Sequence, residues 1–182
     1  MNKRGVSPVV TEVLLIMVVL AAFAILISFV VPFVKNSLGK STECIPYKNY
    51  FTFKESFESA TGSVSYNCFD GNDLYKMSVE ASGEEKLGDE IGGIEIVFTD
   101  KEGNSEVAKI EDGKAANCEK KGVRMLNDNG CTRILSIPLN GGAKTYSFNN
   151  SKTGFITAEV HPLLKSGSIC EKTDSIEIKR CQ

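Results

Sequence analysis

The sequence predicts an α+β protein: a long hydrophobic N-terminal helix of membrane-spanning length, followed by an antiparallel β-sandwich-like outer domain. Three observations predict it. Val13 to Val34 is an uninterrupted apolar run of 22 residues without a charge. Beyond about residue 62, short runs of alternating apolar and polar residues recur between Gly- and Asn-containing turns, the pattern of half-buried strands. All six cysteines follow the apolar run, the usage expected of a domain folded in an oxidising compartment.

The apolar run reads VLLIMVVLAAFAILISFVVPFV, broken only by Ser28 and Pro32. As an α-helix it extends about 33 Å, against a bilayer hydrocarbon core of about 30 Å. It is apolar on every face, so it is not the amphipathic surface helix of a soluble domain. A cleaved secretory signal has a shorter apolar stretch and a small-x-small site on its far side. The far flank here is Pro32-Phe33-Val34-Lys35-Asn36, which lacks that site. Ser7 suits an N-cap and Pro8 the first helical position, so the helix is expected to begin there. Pro32 cannot donate to the Ser28 carbonyl, which predicts a kink or an end near that point. The divisions expected are 1–5, 6–40 for the helix and 41–182 for the outer domain.

Charge divides the chain at the same place. Residues 1–40 hold Lys3, Arg4, Lys35 and Lys40 against Glu12 alone; the other 17 of 21 basic and 22 of 23 acidic residues follow. The basic N-terminal flank favours a cytoplasmic N-terminus, with the acidic domain outside. An acidic outer domain argues against nucleic acid, whose phosphates need a basic footprint. With one histidine, no tryptophan and no Cys-x-x-Cys, no metal or cofactor site is expected.

The first twelve residues, MNKRGVSPVVTE, hold more than an anchor needs. Lys3-Arg4-Gly5, then Val6-Ser7-Pro8-Val9-Val10 and a full-length apolar helix, resemble the N-terminus of archaeal type IV pilins over roughly residues 3–34. The resemblance implies a precursor whose short basic leader is removed by a prepilin peptidase between Gly5 and Val6. It implies that pilus assembly machinery then packs the helix with identical or related subunits into a cell-surface filament. Bacterial-type pilins carry a glutamate at the fifth mature residue; Glu12 would be the seventh. By its position Glu12 is either a carboxylate at interfacial depth, favoured by the positive end of the helix dipole, or a partner for a neighbouring subunit's amino group. Ala21, Ala24 and Ser28 lie at i, i+3 and i+7, a strip where another helix can approach closely.

In the outer domain the strand candidates are Val64–Tyr66, Leu74–Glu80, Ile91–Thr99, Arg133–Leu139, Thr145–Phe148, Phe155–Val160 and Ile176–Lys179. The expected turns are Asp70-Gly71-Asn72, Gly92-Gly93, Gly103-Asn104, Asn129-Gly130 and Gly141-Gly142. Residues 36–56 read as a connector. Asn140-Gly141-Gly142-Ala143-Lys144-Thr145 resembles the end of a phosphate-binding loop, but Pro138 stands where its first glycine belongs, so a hairpin turn is expected. Asp100, Glu102, Asn104 and Glu106 lack the glycine spacing and final glutamate of an EF-hand, so a solvated turn is expected. His161 has no nucleophile pattern around it. Asn149-Asn150-Ser151 is a glycosylation sequon. No catalytic site emerges, and the domain is not expected to be an enzyme.

Cys44, Cys68, Cys118, Cys131, Cys170 and Cys181 admit 15 pairings. The local set Cys44–Cys68, Cys118–Cys131 and Cys170–Cys181 closes loops of about 24, 13 and 11 residues, an ordering that closure entropy favours only weakly. Within it Cys170–Cys181 has the best separate case, because it brackets the terminal strand candidate at 176–179. Two functions from different classes fit: a pilin-like filament subunit, or a monomeric signal-anchored extracellular domain that binds a partner.

Overall fold

The computed structural model describes residues 8–59, 62–71, 73–82, 84–139, 141–150 and 154–181. The chain divides into two units at the Glu43/Cys44 junction. The first is helical: α1 runs over Pro8–Cys44, 37 residues or about 55 Å. Pro32 lies inside it and does not end it. Ser28 donates its hydroxyl to the Ile25 carbonyl at 2.7 Å, so its polar group is satisfied within the helix. The helix therefore continues through residues 36–44, which the sequence reading assigned to a connector, and reaches past the expected end at 40.

The second unit is mostly β, with several sheets. After a 3-10 turn at Ile45–Tyr47 come β1 (Phe51–Phe53), β2 (Phe57–Ser59), β3 (Gly62–Val64), β4 (Cys68–Phe69) and β5 (Leu74–Ala81). A single helical turn, Glu85–Gly88, precedes β6 (Ile91–Asp100) and β7 (Ser105–Glu111). Then follow β8 (Val123–Met125), β9 (Ala143–Asn149), β10 (Phe155–Leu164), β11 (Asp174–Glu177) and β12 (Lys179–Arg180). One sheet has the order β12-β4-β5-β9-β8, with β1 also paired to β5. A second has the order β11-β10-β6-β7, and β2-β3 forms a separate hairpin. All pairs are antiparallel except β12 with β4.

Side chains from both large sheets enter one buried cluster. Its centre is aromatic. Tyr75 of β5 lies 5.4 Å from Phe98 of β6 and 5.3 Å from Phe155 of β10, ring centroid to centroid. Phe98 in turn stacks on Phe148 of β9 at 4.9 Å. Such pairs add about 0.5–1.5 kcal/mol beyond the area they bury. The Tyr75 hydroxyl accepts from the amides of Gly154 and Phe155, so its polar tip is used.

Several expectations change on contact with tertiary structure. Gly92-Gly93 is not a turn but part of β6, where Gly93 allows close approach: a Cβ there would fall 2.3 Å from the Ile110 carbonyl oxygen. Arg133–Leu139 is not a strand. It buries Leu135 and Ile137 but holds only an isolated bridge, Ala115 to Ile134, and is fastened by the Tyr146 hydroxyl donating to the Ser136 carbonyl at 2.8 Å. The turn near Gly141-Gly142 exists, with the Gly142 amide bonded to the Leu139 carbonyl, but it lies at the end of the long connection between β8 and β9 and is not a tight hairpin; Asn140 lies outside the described residues. Pro162 sits inside β10 without cost to the β6 pairing. Its carbonyl accepts from the Cys170 amide, so its missing N–H also faces away from β6, where β11 does not extend.

The outer edge of β1 is closed by side chains. Asp174 accepts from the Phe53 amide at 2.7 Å, and the Thr173 hydroxyl donates to the Phe51 carbonyl at 2.7 Å. These two residues tie the start of one sheet to an edge strand of the other. Asp174→Ala is expected to lower unfolding free energy by about 1–3 kcal/mol, the range for stranding a buried donor that had an ionised partner. A denaturant titration at neutral pH checks it, with Ser175→Ala as the exposed control expected to change little.

Candidate functional site

The only helix among the described residues with the length and apolarity to cross a membrane is α1. Its span Val10–Val34 covers 25 residues, none of them buried against the rest of the chain. Leu14, Leu20, Phe23, Phe29 and Phe33 are each more than half exposed. Gly5 and Val6 lie outside the described residues, as does Ser7. Glu12 lies one turn into α1 with its side chain exposed. Ala21, Ala24 and Ser28 fall within about 60° of one another around the helix axis, and all three are exposed. The strip presents small side chains with no unsatisfied hydroxyl, since Ser28 bonds within its own turn.

All six cysteines are disulfide-bonded. Cys118–Cys131 pairs as the local reading expected, with Cα atoms 5.8 Å apart. The other two local pairs are corrected. Cys44 bonds Cys170 and Cys68 bonds Cys181, across sequence separations of 126 and 113 residues. The reason lies in the strand order. β12 runs parallel beside β4, in register Lys179 to Cys68, and the Cys181 amide donates to the Phe69 carbonyl, so the chain end arrives at Cys68 and not at Cys170. Cys170 is held in the loop after β10 by its amide bond to Pro162, where Cys44 comes within 5.3 Å.

The remaining polar candidates serve the fold. Asp100 Oδ1 accepts from the amides of Glu102 and Asn104, closing the β6–β7 turn, and Glu106 pairs with Lys121 at 2.9 Å. His161 Nδ1 lies 3.1 Å from the Cys170 carbonyl and Nε2 lies 3.8 Å from Glu159. Asn149 ends β9. Its side-chain nitrogen, the atom a glycan would occupy, donates to the Cys118 carbonyl at 3.4 Å; Ser151 of its sequon lies outside the described residues.

Asp128 escaped the sequence reading because a single aspartate in a Gly/Asn-rich stretch looks like solvated turn. It is buried, 4% exposed, inside the Cys118–Cys131 loop. Burial alone pushes its carboxyl up. The Arg133 and Thr132 amides, the Thr132 hydroxyl and the Arg133 charge outweigh that and hold it below the ordinary carboxylate range. The stability it contributes is therefore present at neutral pH and lost as pH falls through the depressed value. Tyr146 is shifted the other way: burial first, then the Asp112 charge, keep its phenol neutral.

A groove of about 500 Å³ lies between Ser63, Ser65 and Asn67 on one side and Glu177, Lys179 and Arg180 on the other. Its lining mixes both charges with hydroxyls. Among the described residues, no three His, Cys, Asp or Glu side chains are grouped for metal binding.

No protein-family model matches the chain, and no curated protein does. Among solved structures it is similar to the human F-spondin reeler domain. One crystal structure aligns over 73% of this chain and 92% of the reeler chain, at 7% identity and a TM-score of 0.30. A second aligns over 72% and 82%, at 7% identity and 0.27. A likeness this loose says nothing about what the chain does.

Proposed function

We propose that the chain is the precursor of a structural subunit of an archaeal type IV pilus-like surface filament. A prepilin peptidase cuts it between Gly5 and Val6, and pilus assembly machinery polymerises it with identical or related subunits through α1. The two large sheets then form a sandwich-like outer domain on the filament surface. One observation carries the reading: an apolar helix with no protein covering it, preceded by Lys3-Arg4-Gly5-Val6-Ser7-Pro8. Lipid and like helices are both apolar surroundings, so such a helix can pass from one to the other with packing as the driving force. A plain anchor accounts for the helix but not for the sequence Lys3-Arg4-Gly5-Val6-Ser7 before it.

The competing reading, a monomeric anchored domain that binds a partner, draws on the mixed-charge groove beside Lys179 and Arg180. N-terminal sequencing of protein sheared from the cell surface separates the two. A filament subunit starts at Val6; an anchored monomer retains residues 1–5 and stays with the membrane.

Glu12 gives a second test. The new amino group at Val6 would lie about 9 Å back along the helix, too far for a pair within one chain. A neighbour shifted by that amount brings its own amino group level with Glu12. Desolvation offsets much of the attraction between the two charges, so the pair mainly sets the stagger between subunits. Glu12→Gln is expected to leave insertion and cleavage intact and to reduce or misregister filaments in electron micrographs, with Glu12→Asp doing less harm. Normal filaments in normal amounts from Glu12→Gln cells would leave the carboxylate as an interfacial residue only.

A further inference from the structure

We infer that this chain is a substrate of a thiol–disulfide isomerase on the outer side of the membrane, because its native pairing is not the one its cysteines reach first. The location rests on the export reading above; the chemistry does not. Cys44 ends α1, ten residues beyond the apolar span, so with the N-terminus held inside and the residues nearest the span crossing first, Cys44 and Cys68 are the first two thiols to emerge. Closing their loop of about 24 residues is favoured about twelvefold over closing the 126-residue separation of Cys44 and Cys170. Closing about 11 residues between Cys170 and Cys181 is favoured about thirtyfold over the 113 between Cys68 and Cys181. Early oxidation therefore yields Cys44–Cys68, Cys118–Cys131 and Cys170–Cys181, of which only Cys118–Cys131 is native.

Each native long-range bond takes one cysteine from each incorrect pair, so neither incorrect bond can be corrected without opening the other. The exchange is redox-neutral and needs one catalytic thiolate. That thiolate attacks the Cys68 sulfur, breaks Cys44–Cys68 and forms a mixed disulfide, releasing the Cys44 thiolate. Cys44 attacks the Cys170 sulfur, forming Cys44–Cys170 and releasing the Cys181 thiolate. Cys181 attacks Cys68 in the mixed disulfide, forming Cys68–Cys181 and returning the catalyst as its thiolate. No electrons are gained or lost. The fold then removes the product from further attack. In the native pairing Cys68 is 4% and Cys170 5% exposed, with β12 beside Cys68 and the Cys170 amide bonded to the Pro162 carbonyl. An accessible sulfur on the misbonded chain and a buried one on the folded chain make the exchange run one way.

The test follows the full-length chain, reduced and denatured and then diluted into detergent micelles, as it is oxidised with diamide, a non-thiol oxidant. Samples are acid-quenched, alkylated and mapped as non-reduced peptides. The Cys44–Cys68 and Cys170–Cys181 peptides are expected to exceed the native long-range peptides about tenfold at first and to persist. Protein disulfide isomerase in a glutathione buffer should convert them to Cys44–Cys170 and Cys68–Cys181 at least tenfold faster than the buffer alone. A Cys118→Ala, Cys131→Ala chain repeats the measurement with only three pairings open. Native long-range bonds forming at the same rate with diamide alone, or no acceleration by the isomerase, would overturn the inference. Protection of the β unit from an impermeant protease on intact cells would overturn only the outer-side location, because the exchange itself is measured without export.

Discussion

A chain carrying Gly5→Leu is expected to insert in the membrane and to remain there with residues 1–5 attached. The sequence places the proposed Gly5–Val6 cut just before Ser7-Pro8, the pair that suits a helix start. A peptidase must fit the backbone on both sides of that bond into its site, and a side chain at Gly5 displaces it. Misplacing a reacting bond by about 1 Å can cost about 10²-fold in rate. The sheared-surface fraction should fall by at least an order of magnitude, while intact mass of the membrane fraction shows the uncut chain. The helix and the β unit are untouched by the change, so thermal unfolding of the purified chain should stay as it was. Surface protein in normal amount that still carries residues 1–5 would defeat the filament proposal at its first step, whereas normal cutting at Val6 would overturn only the need for a small residue at Gly5.

Cys68→Ala combined with Cys181→Ala is expected to lower the stability of the β unit by roughly 3–5 kcal/mol, the chain-entropy value for a loop of this length. For a unit of this size that is roughly 10 °C in the unfolding midpoint. The effect has a local component. β12 contributes only Lys179 and Arg180 to its sheet, too few ladder bonds to hold a chain end unaided. Amide exchange should therefore rise first at residues 179–181 and along β4. Removing Cys118–Cys131 instead, with its separation of 13 residues, should cost less, about 3 kcal/mol. Calorimetry of the two double variants side by side decides the order, and equal midpoints would contradict it.

The apolar helix was legible because its evidence is local: length, absence of charge and a Ser-Pro start all lie within one segment. Its far end was not, since polar residues 35–44 form helix on backbone grounds that hydropathy does not record. Strands with strict alternation were also legible; Leu74–Ala81, Ile91–Asp100 and Phe155–Leu164 sit close to their expected positions. Ser105–Glu111 was missed because its alternation is broken on both faces: apolar Val107 is exposed among Ser105, Lys109 and Glu111, and charged Glu106 shares the inward face with Ala108 and Ile110. Phe51–Phe53 was missed because three residues give no period, and its edge is satisfied by Thr173 and Asp174, about 120 residues away in sequence. Arg133–Leu139 failed in the opposite sense: it alternates like a strand but spends its apolar side chains on burial without a ladder. The cysteines were legible as disulfides and illegible as pairs, because a loop-closure preference of tenfold or so is small beside the energy of folding the β unit as a whole.

The interleaving of Cys44–Cys170 with Cys68–Cys181 has a consequence for resistance to proteolysis. A single peptide-bond nick anywhere between Cys44 and Cys181 leaves both halves covalently joined. A cut before Cys68 is spanned by the first bond, a cut after Cys170 by the second, and any cut between them by both. Proteases that cut within this span must therefore sever the chain at least twice before any part of it drifts away from Cys44. Even then only a piece free of cysteine, or the short ring closed by Cys118 and Cys131, can leave. Single nicks within the bonded span therefore accumulate without shedding any of it.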